Sequence, residues 1–277
     1  GGDREHYQLP FGQDRLITEL LAVNSNTVLV IVSGNAYEMP WIDKTPALVQ
    51  SWYLGSEAGH ALADIISGDV CPSGKLPFSI AYQLTDYPAH KMGAVGYPGV
   101  SPDKLPQPFG GEEGKPMTSA RLLKAAVEGW KGINFCDEPG NGSMKDETEI
   151  YGEDILLGYR WFDYFKTKVR FPFGFGLSYT TFSYGKPTIS GRTVSVSVRN
   201  SGKVLGQEVV QFYVGDDKAS VIRPMKELKH FEKVALAPGE TKLISYTIDD
   251  DDLKFFDEEK HEWVAEPGTF TVYVGAS

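Results

Sequence analysis

Cysteine is scarce in this sequence: Cys71 and Cys136 are the only two among 277 residues. Two cysteines make no disulfide framework, and the five histidines, at 6, 60, 90, 230 and 261, are too scattered for a zinc cluster. No metal site is expected. Long apolar runs are missing too. None approaches the ~20 residues of a membrane helix, so insertion into a bilayer is not expected. Positive charge is in deficit, with 27 Lys and Arg against 37 Asp and Glu, a formal net charge of −10 and a pI near 5.0. Nucleic acid and anionic lipid surfaces both demand basic patches, and neither is an expected partner. No glycine-rich run has the form of a phosphate loop. The Gly-x-Ser-x-Gly pattern is absent, which leaves a serine hydrolase without its nucleophile elbow.

What is present divides into two periods. From Gln13 to about Tyr164, helical and buried-strand patterns alternate. "QDRLITELLAVN" spaces Leu16, Ile17, Leu20 and Leu21 as one helix face. "TVLVIVSG" (27–34) is a continuous β-branched run, the pattern of a parallel strand covered on both faces. "PALVQSWYLG" (46–55) predicts a second such strand, with Trp52 inside it, and "GKLPFSIA" (74–81) a third. Between them "SEAGHALADIISG" (56–68) predicts a helix capped by Ser56 and stopped by Gly68. Strand–helix–strand units of this length imply an open α/β sandwich, mostly parallel sheet with helices on both faces. Residues 85–147 are rich in Pro and Gly, with one amphipathic helix, "MTSARLLKAAVEGW" (117–130), inside.

From about Thr188 the period becomes two. "RTVSVSVRN", "QEVVQFYVG", "TKLISYTID" and "TFTVYVG" are separated by the turn signals "NSGK", "APGE" and "EPGT". Strands at this spacing predict an all-β sandwich of immunoglobulin type. The expected boundaries are 1–170 for the α/β unit, with a long insertion at about 90–147, and 188–277 for the β-sandwich. Between them, 171–187 forms an aromatic seam. That seam begins "FPFGFGLSYTTFSY" (171–184), six aromatics in fourteen residues. Pro172, Gly174 and Gly176 break both periods, so its rings are expected to pack between the two units rather than to serve as a sugar platform.

Seven stretches, in order, resemble glycoside hydrolase family 3: "GGDREHYQLPFGQDRLI", "NTVLVIVSGNAYEMPW", "VQSWYLGSEAGHALADIISGDVCPSGKLPFS", "YGEDILLGYRWFD", "FPFGFGLSYTTFSY", "RPMKELKHFEKVALAPGET" and "WVAEPGTFTVYVGAS". Such enzymes carry an N-terminal (β/α)₈ barrel, an α/β sandwich and often a fibronectin type III-like domain. The resemblance implies that this chain holds the last two. It also implies a barrel of the same enzyme as partner, a carbohydrate substrate, hydrolysis of terminal β-D-glucosyl residues with retention, no cofactor, and a secreted or periplasmic setting. β-Xylosidase activity, and a non-catalytic carbohydrate- or protein-binding module, are the alternatives. The sequence is compatible with a homo-oligomer. The segment from about Gly99 to Met144 departs from the family pattern and bears on the sugar subclass.

Retention requires two carboxyl groups ~5 Å apart, one nucleophile and one acid/base. The resemblance places the nucleophile Asp on the barrel, outside this chain. It places the acid/base Glu in a Glu-Gly-x-Asp-Arg pattern, of which Gly1, Gly2, Asp3 and Arg4 supply all but the Glu. That Glu is therefore expected immediately before Gly1 in a longer polypeptide, with Gly2, Asp3 and Arg4 in the active-site loop. Inside the chain, Glu153 and Asp154 are the first rivals, followed by Glu112 and Glu113. The structural reading of Glu153 is a buried carboxylate bonded to backbone or paired with Arg160. Glu112 and Glu113 read as solvated. Five tryptophans (41, 52, 130, 161 and 263) have faces suited to pyranose stacking. Trp41 and Trp52 are expected in the core, and Trp130, ending the insertion helix, is the candidate for substrate contact. "IDDDDLKFFDEE" (248–259) lacks calcium-loop spacing and is expected to be a solvated turn. Asn141-Gly142-Ser143 is a formal glycosylation sequon.

Overall fold

The structure, a computed structural model, describes residues 6–91 and 151–276. The first half opens with α1 (Gln13–Val23), whose N-cap Gly12 takes φ 70° and whose first turn carries Asp14, favourably placed against the helix dipole. Only Ile17 and Leu21 of α1 are buried; Leu16 and Leu20 of the same predicted stripe stay 57% and 45% exposed. Strands β1 (Val28–Ile31) and β2 (Ala47–Gln50) run parallel, with Leu29 opposite Leu48. A 3₁₀ turn at Gly55–Glu57 leads into α2 (Ala58–Ser67), which ends at Gly68 with φ 87°. Short β3 (Ile80–Ala81) pairs antiparallel with β4 (Val169–Phe171). Among the described residues this half also holds α3 (Pro88–Lys91) and α4 (Tyr159–Tyr164).

Three local expectations are corrected. The strand predicted over 46–55 stops at Gln50, and Trp52 lies beyond it with φ 55°, half-buried edge-on to Phe78. The left-handed backbone at Trp52 ends the extended run that the apolar string suggested. The strand predicted over 74–81 shrinks to two residues, because Leu76 bonds Phe175 O through its N–H and accepts from Gly174 N instead of joining a ladder. Ser56 caps nothing; it sits within the 3₁₀ turn, and the N-cap position falls on Glu57, without a side-chain cap.

The second half is a β-sandwich. One sheet joins β5 (Phe182–Tyr184), β6 (Thr188–Ser190) and β10 (Thr241–Thr247) to the central β7 (Thr193–Asn200). The other runs β13 (Phe270–Gly275), β8 (Gly206–Asp216), β9 (Glu227–Leu236). β7 alternates as the period demands: Val194, Val196 and Val198 point inward at 0–1% exposure, against Val210, Phe212 and Leu236 from the facing sheet. A separate hairpin, β11 (Phe255–Asp257) and β12 (Glu262–Val264), stands off these sheets.

The aromatic segment touches both halves. Phe173 stacks on Tyr159 of α4 at 4.6 Å, and Tyr159 meets Tyr213 of β8 edge-on at 6.0 Å. Gly174 (φ 82°) leaves room for the Gln211 carboxamide, which bonds the Gly174 carbonyl. A Cβ on Gly176 would run into the Gly74 carbonyl oxygen. Lys75 crosses the same region, paired with Glu208 of β8 at 2.9 Å and bonded to Gly176 O at 2.9 Å.

Candidate active-site cleft

Open α/β sheets bind ligands beyond the carboxyl ends of their strands. Here the loop leaving β1 turns back at Tyr37–Trp41 and meets the segment His6–Leu9. Glu38 N–H donates to Tyr7 O (2.9 Å), so the two stretches lie side by side. Asp14 holds both: one carboxylate oxygen accepts from Leu9 N–H (3.2 Å) and the other from Trp41 Nε1 (2.7 Å). Tyr7 projects inward, its hydroxyl donating to Ala81 O and facing the Tyr87 hydroxyl, each at 3.1 Å. Tyr87 in turn accepts from Ala81 N–H and donates to Ser79 O. Burial raises the Tyr87 pKa, so the hydroxyl remains a neutral donor in this network.

These anchors leave a cleft of about 290 Å³ lined by His6, Gln8, Glu38, Gln83 and Thr85, with Tyr7 and Leu84. It adjoins, in sequence, the loop Gly2–Asp3–Arg4 expected to be catalytic. Gly2, Asp3 and Arg4 themselves lie outside the described residues, as do Trp130, Glu112, Glu113, Cys136 and the sequon at Asn141. Among the described residues the lining contains one carboxylate, Glu38, together with Gln8, Gln83, Thr85 and His6, whose polar atoms suit hydroxyl groups. One carboxylate cannot supply both roles of a retaining glycosidase. His6, Glu38 and Gln83 were not singled out from the sequence. The signal for Glu38 was its place in the loop after the first parallel strand.

Glu153 does not line this cleft. It precedes a 3₁₀ turn at Asp154–Leu156, is 4% exposed, and its Oε2 has no hydrogen-bond partner among the described residues. Of the two structural readings, the buried carboxylate with a backbone bond is the one seen; the alternative pairing with Arg160 is not, because Arg160 reaches Glu227 of β9 at 3.6 Å. Burial is the main cause that raises the pKa of Glu153, with the charge of Asp154 adding to it. Asp154 (φ 45°) is raised in the same way, by burial and then by Glu258 of the β11–β12 turn. Trp41 and Trp161, each 2% exposed, are core. In the acidic turn, Asp250 binds Arg192, Asp251 binds Lys254, Asp252 accepts from Tyr246, and Asp257 binds Lys260. These four aspartates are therefore engaged within the protein, while Glu258 and Glu259 of the same turn are exposed. Among the described residues, no three His, Cys, Asp or Glu side chains stand together as a metal site requires, and no helix is long and apolar enough to cross a membrane.

The described residues thus form an α/β unit bearing a cleft, followed by a β-sandwich whose Tyr213 meets Tyr159 of that unit. The sequence profile of the glycosyl hydrolase family 3 C-terminal domain matches residues 1–179, and that of the fibronectin type III-like domain matches 208–277. The chain belongs to glycoside hydrolase family 3. It is 48% identical over 285 aligned positions to a β-glucosidase of Bacteroides ovatus, covering 100% of this chain and 32% of that protein. It is 38% identical to a β-glucosidase of Kluyveromyces marxianus, covering 28% of it. Among solved structures, the Kluyveromyces marxianus β-glucosidase in complex with glucose superposes with a TM-score of 0.75 at 37% identity, over 99% of this chain and 28% of that one. DesR, a β-glucosidase from Streptomyces venezuelae in complex with D-glucose, gives 0.74 at 33% identity, over 100% of this chain and 30% of that one. The chain thus spans about a third of the length of the relatives it matches.

Proposed function

We propose that this chain is the distal part of a retaining β-glucosidase, whose α/β and fibronectin type III-like domains complete the active site of an N-terminal barrel. The observation that carries this reading is full-length similarity to β-glucosidases of which the chain covers about a third. In this reading the barrel supplies the nucleophile Asp. A Glu immediately before Gly1 supplies the acid/base, and Gly2, Asp3 and Arg4 hold that loop over the barrel mouth. The Asp14 anchor fixes the stem of the loop, and the His6–Glu38–Gln83 cleft beside it would meet sugar hydroxyls or the aglycone. Trp130 is assigned a substrate contact, and 171–187 the boundary between the two domains. The chemistry is protonation of the glycosidic oxygen by the Glu and attack at C1 by the Asp. Water then hydrolyses the glycosyl-enzyme, with the same Glu acting as base.

Alone, the chain is expected to be inactive. Mixed with a separately produced barrel half that ends in the acid/base Glu, it should restore hydrolysis of an aryl β-glucoside, and proton NMR should show β-glucose as the first product. Stable assembly without turnover would count heavily against the reading, and α-glucose as first product would overturn the retaining mechanism.

A further inference from the structure

The β8–β9 loop (217–226) joins two strands of the sandwich yet packs on the other half of the chain. Val221 is 46% exposed, whereas Ile222 beside it lies against the cluster of Ala81, Leu156, Trp161 and Phe162, each 0–4% exposed. The end of this loop and the start of β9 also grip α4 by three polar contacts. The Tyr159 hydroxyl accepts from Leu228 N–H (2.8 Å), Arg160 pairs with Glu227 (3.6 Å), and Asp163 pairs with Lys226 (3.2 Å). Between those residues on α4, Trp161 and Phe162 are buried in the cluster that Ile222 touches.

From α4 the contacts continue to the cleft. Phe162 meets the Tyr87 ring edge-on at 5.6 Å, and Tyr87 meets the Tyr7 ring edge-on at 5.9 Å. Tyr7 forms part of the cleft lining, and its carbonyl holds Glu38 through the Glu38 N–H at 2.9 Å. A phenol has one proton to donate. Tyr7 and Tyr87 therefore bring two protons to three close contacts, those to Ala81 O, to Ser79 O and between the hydroxyls themselves. Such a pair is sensitive to where the Tyr87 ring is held, and Phe162 is one of the groups that hold it.

We propose that the fibronectin type III-like half positions the cleft wall. Ile222 and the polar contacts on α4 seat Phe162, Phe162 backs Tyr87, and Tyr87 sets Tyr7, which in turn fixes Glu38. Ile222 falls inside the stretch matched by the fibronectin type III-like profile, 208–277. Neither Ile222 nor Phe162 lines the cleft, so both are positioning residues. Close-packed interiors have low compressibility and pass such displacements on. The value of this arrangement for hydrolysis rests on the β-glucosidase reading, in which the cleft adjoins the acid/base loop.

The test is solution NMR of the 277-residue chain, reading the Tyr7 ring-proton shifts and the hydrogen-exchange rate of Glu38 N–H. Ile222→Ala should move the Tyr7 ring resonances and speed Glu38 exchange at least about tenfold. The Ser51 N–H, which bonds Ile31 O in the same half but off this path, should keep its rate. Ile222→Val should restore most of the original pattern, and the neighbouring Val221→Ala should leave both readouts unchanged. Phe162→Leu keeps an apolar filler but removes the ring edge, and it should reproduce the Ile222→Ala effect with the loop intact. Unaltered Tyr7 shifts and Glu38 exchange in Ile222→Ala would overturn the proposal. Equal acceleration at Ser51 would overturn it too, since Ile222 would then be a general prop of that half. Should Ile222→Ala fail to fold, Phe162→Leu decides on the same two readouts. None of them needs turnover, so failure here removes the positioning role and leaves the β-glucosidase reading standing. That reading falls on the barrel complementation alone, whatever these spectra show.

Discussion

The two halves of the chain solve the burial problem to different degrees. In the β-sandwich, β7 and β8 face each other across a closed core in which Val194, Val198, Val210, Phe212 and Leu236 are fully buried. In the α/β half, the described parallel sheet has two strands, and none of the residues of α2 is buried. Phe11, Val23, Tyr53, Leu16 and Ile66 stand 56–97% exposed. Exposed single apolar residues are ordinary, but a parallel sheet is normally covered on both faces, and its strands read as apolar for that reason. The sandwich core is closed, although Leu243 (70%), Ile189 (63%) and Phe231 (61%) are exposed on that half too; the described core of the α/β half is less complete. Its membership of a family whose relatives are about three times longer agrees with that contrast.

The sharpest way to break the contrast is to cavitate the closed core. Phe212 is fully buried between the sheets. Phe212→Ala should cost about 3–5 kcal/mol in urea unfolding. A loss below about 1 kcal/mol would mean that the sandwich is no better packed than its neighbour.

Next in size is the bridge between halves. Lys75 and Glu208 are 14% and 7% exposed and stand 2.9 Å apart. Glu208→Gln leaves the ammonium without its counter-charge, with an expected loss of about 3 kcal/mol. Replacing both by Met and Leu should recover most of it, because a buried pair and an apolar pair of similar volume differ little. If the single and double variants were equally unstable, the bridge would be acting through packing rather than charge.

Glu153 provides a smaller effect whose sign depends on pH. Its folded-state pKa is raised by burial above the usual 4.5. The folded protein thus holds this proton more tightly than the unfolded chain. The stabilising contribution is complete below the unfolded value and is lost as pH rises through the folded one. Glu153→Gln should therefore raise the unfolding free energy at pH 8, by on the order of 1 kcal/mol, and leave it nearly unchanged at pH 4. A loss at pH 8 would show that the buried carboxylate has a partner that Gln cannot satisfy.

The sequence revealed the sandwich better than the α/β half, for a physical reason. Alternation on β7 reports directly which side chains meet the facing sheet, because both partners are present in the chain. The apolar string "PALVQSWYLG" reports only that something covers it, so the turn at Trp52 with its positive φ was invisible. The same holds for the stripe on α1, where Ile17 and Leu21 are buried and Leu16 and Leu20 are not. At the site, the stem residue Asp14 sits in a motif that was recognised, yet beside its local bond to Leu9 its bond to Trp41 depends on a fold-back 27 residues along the chain. Glu38 was hidden because a carboxylate in a loop carries no pattern of its own; only the strand before it gives its position meaning.

The smallest effect is also the one that separates the two halves most cleanly. Leu20 on α1 is 45% exposed, and Gln preserves helix propensity there. In the 277-residue chain, Leu20→Gln should shift stability by no more than about 0.5 kcal/mol, as solvent-facing substitutions do. In a longer polypeptide that covers this face, the same change should cost about 1.5–3 kcal/mol, the value of burying a leucine. Chemical denaturation of both forms measures the difference. If Leu20→Gln were neutral in each, the outward stripe of α1 would face solvent in the longer form too, and its apolar surface would have to be explained in another way. A loss confined to the longer form would identify α1 as part of a surface that the added polypeptide covers.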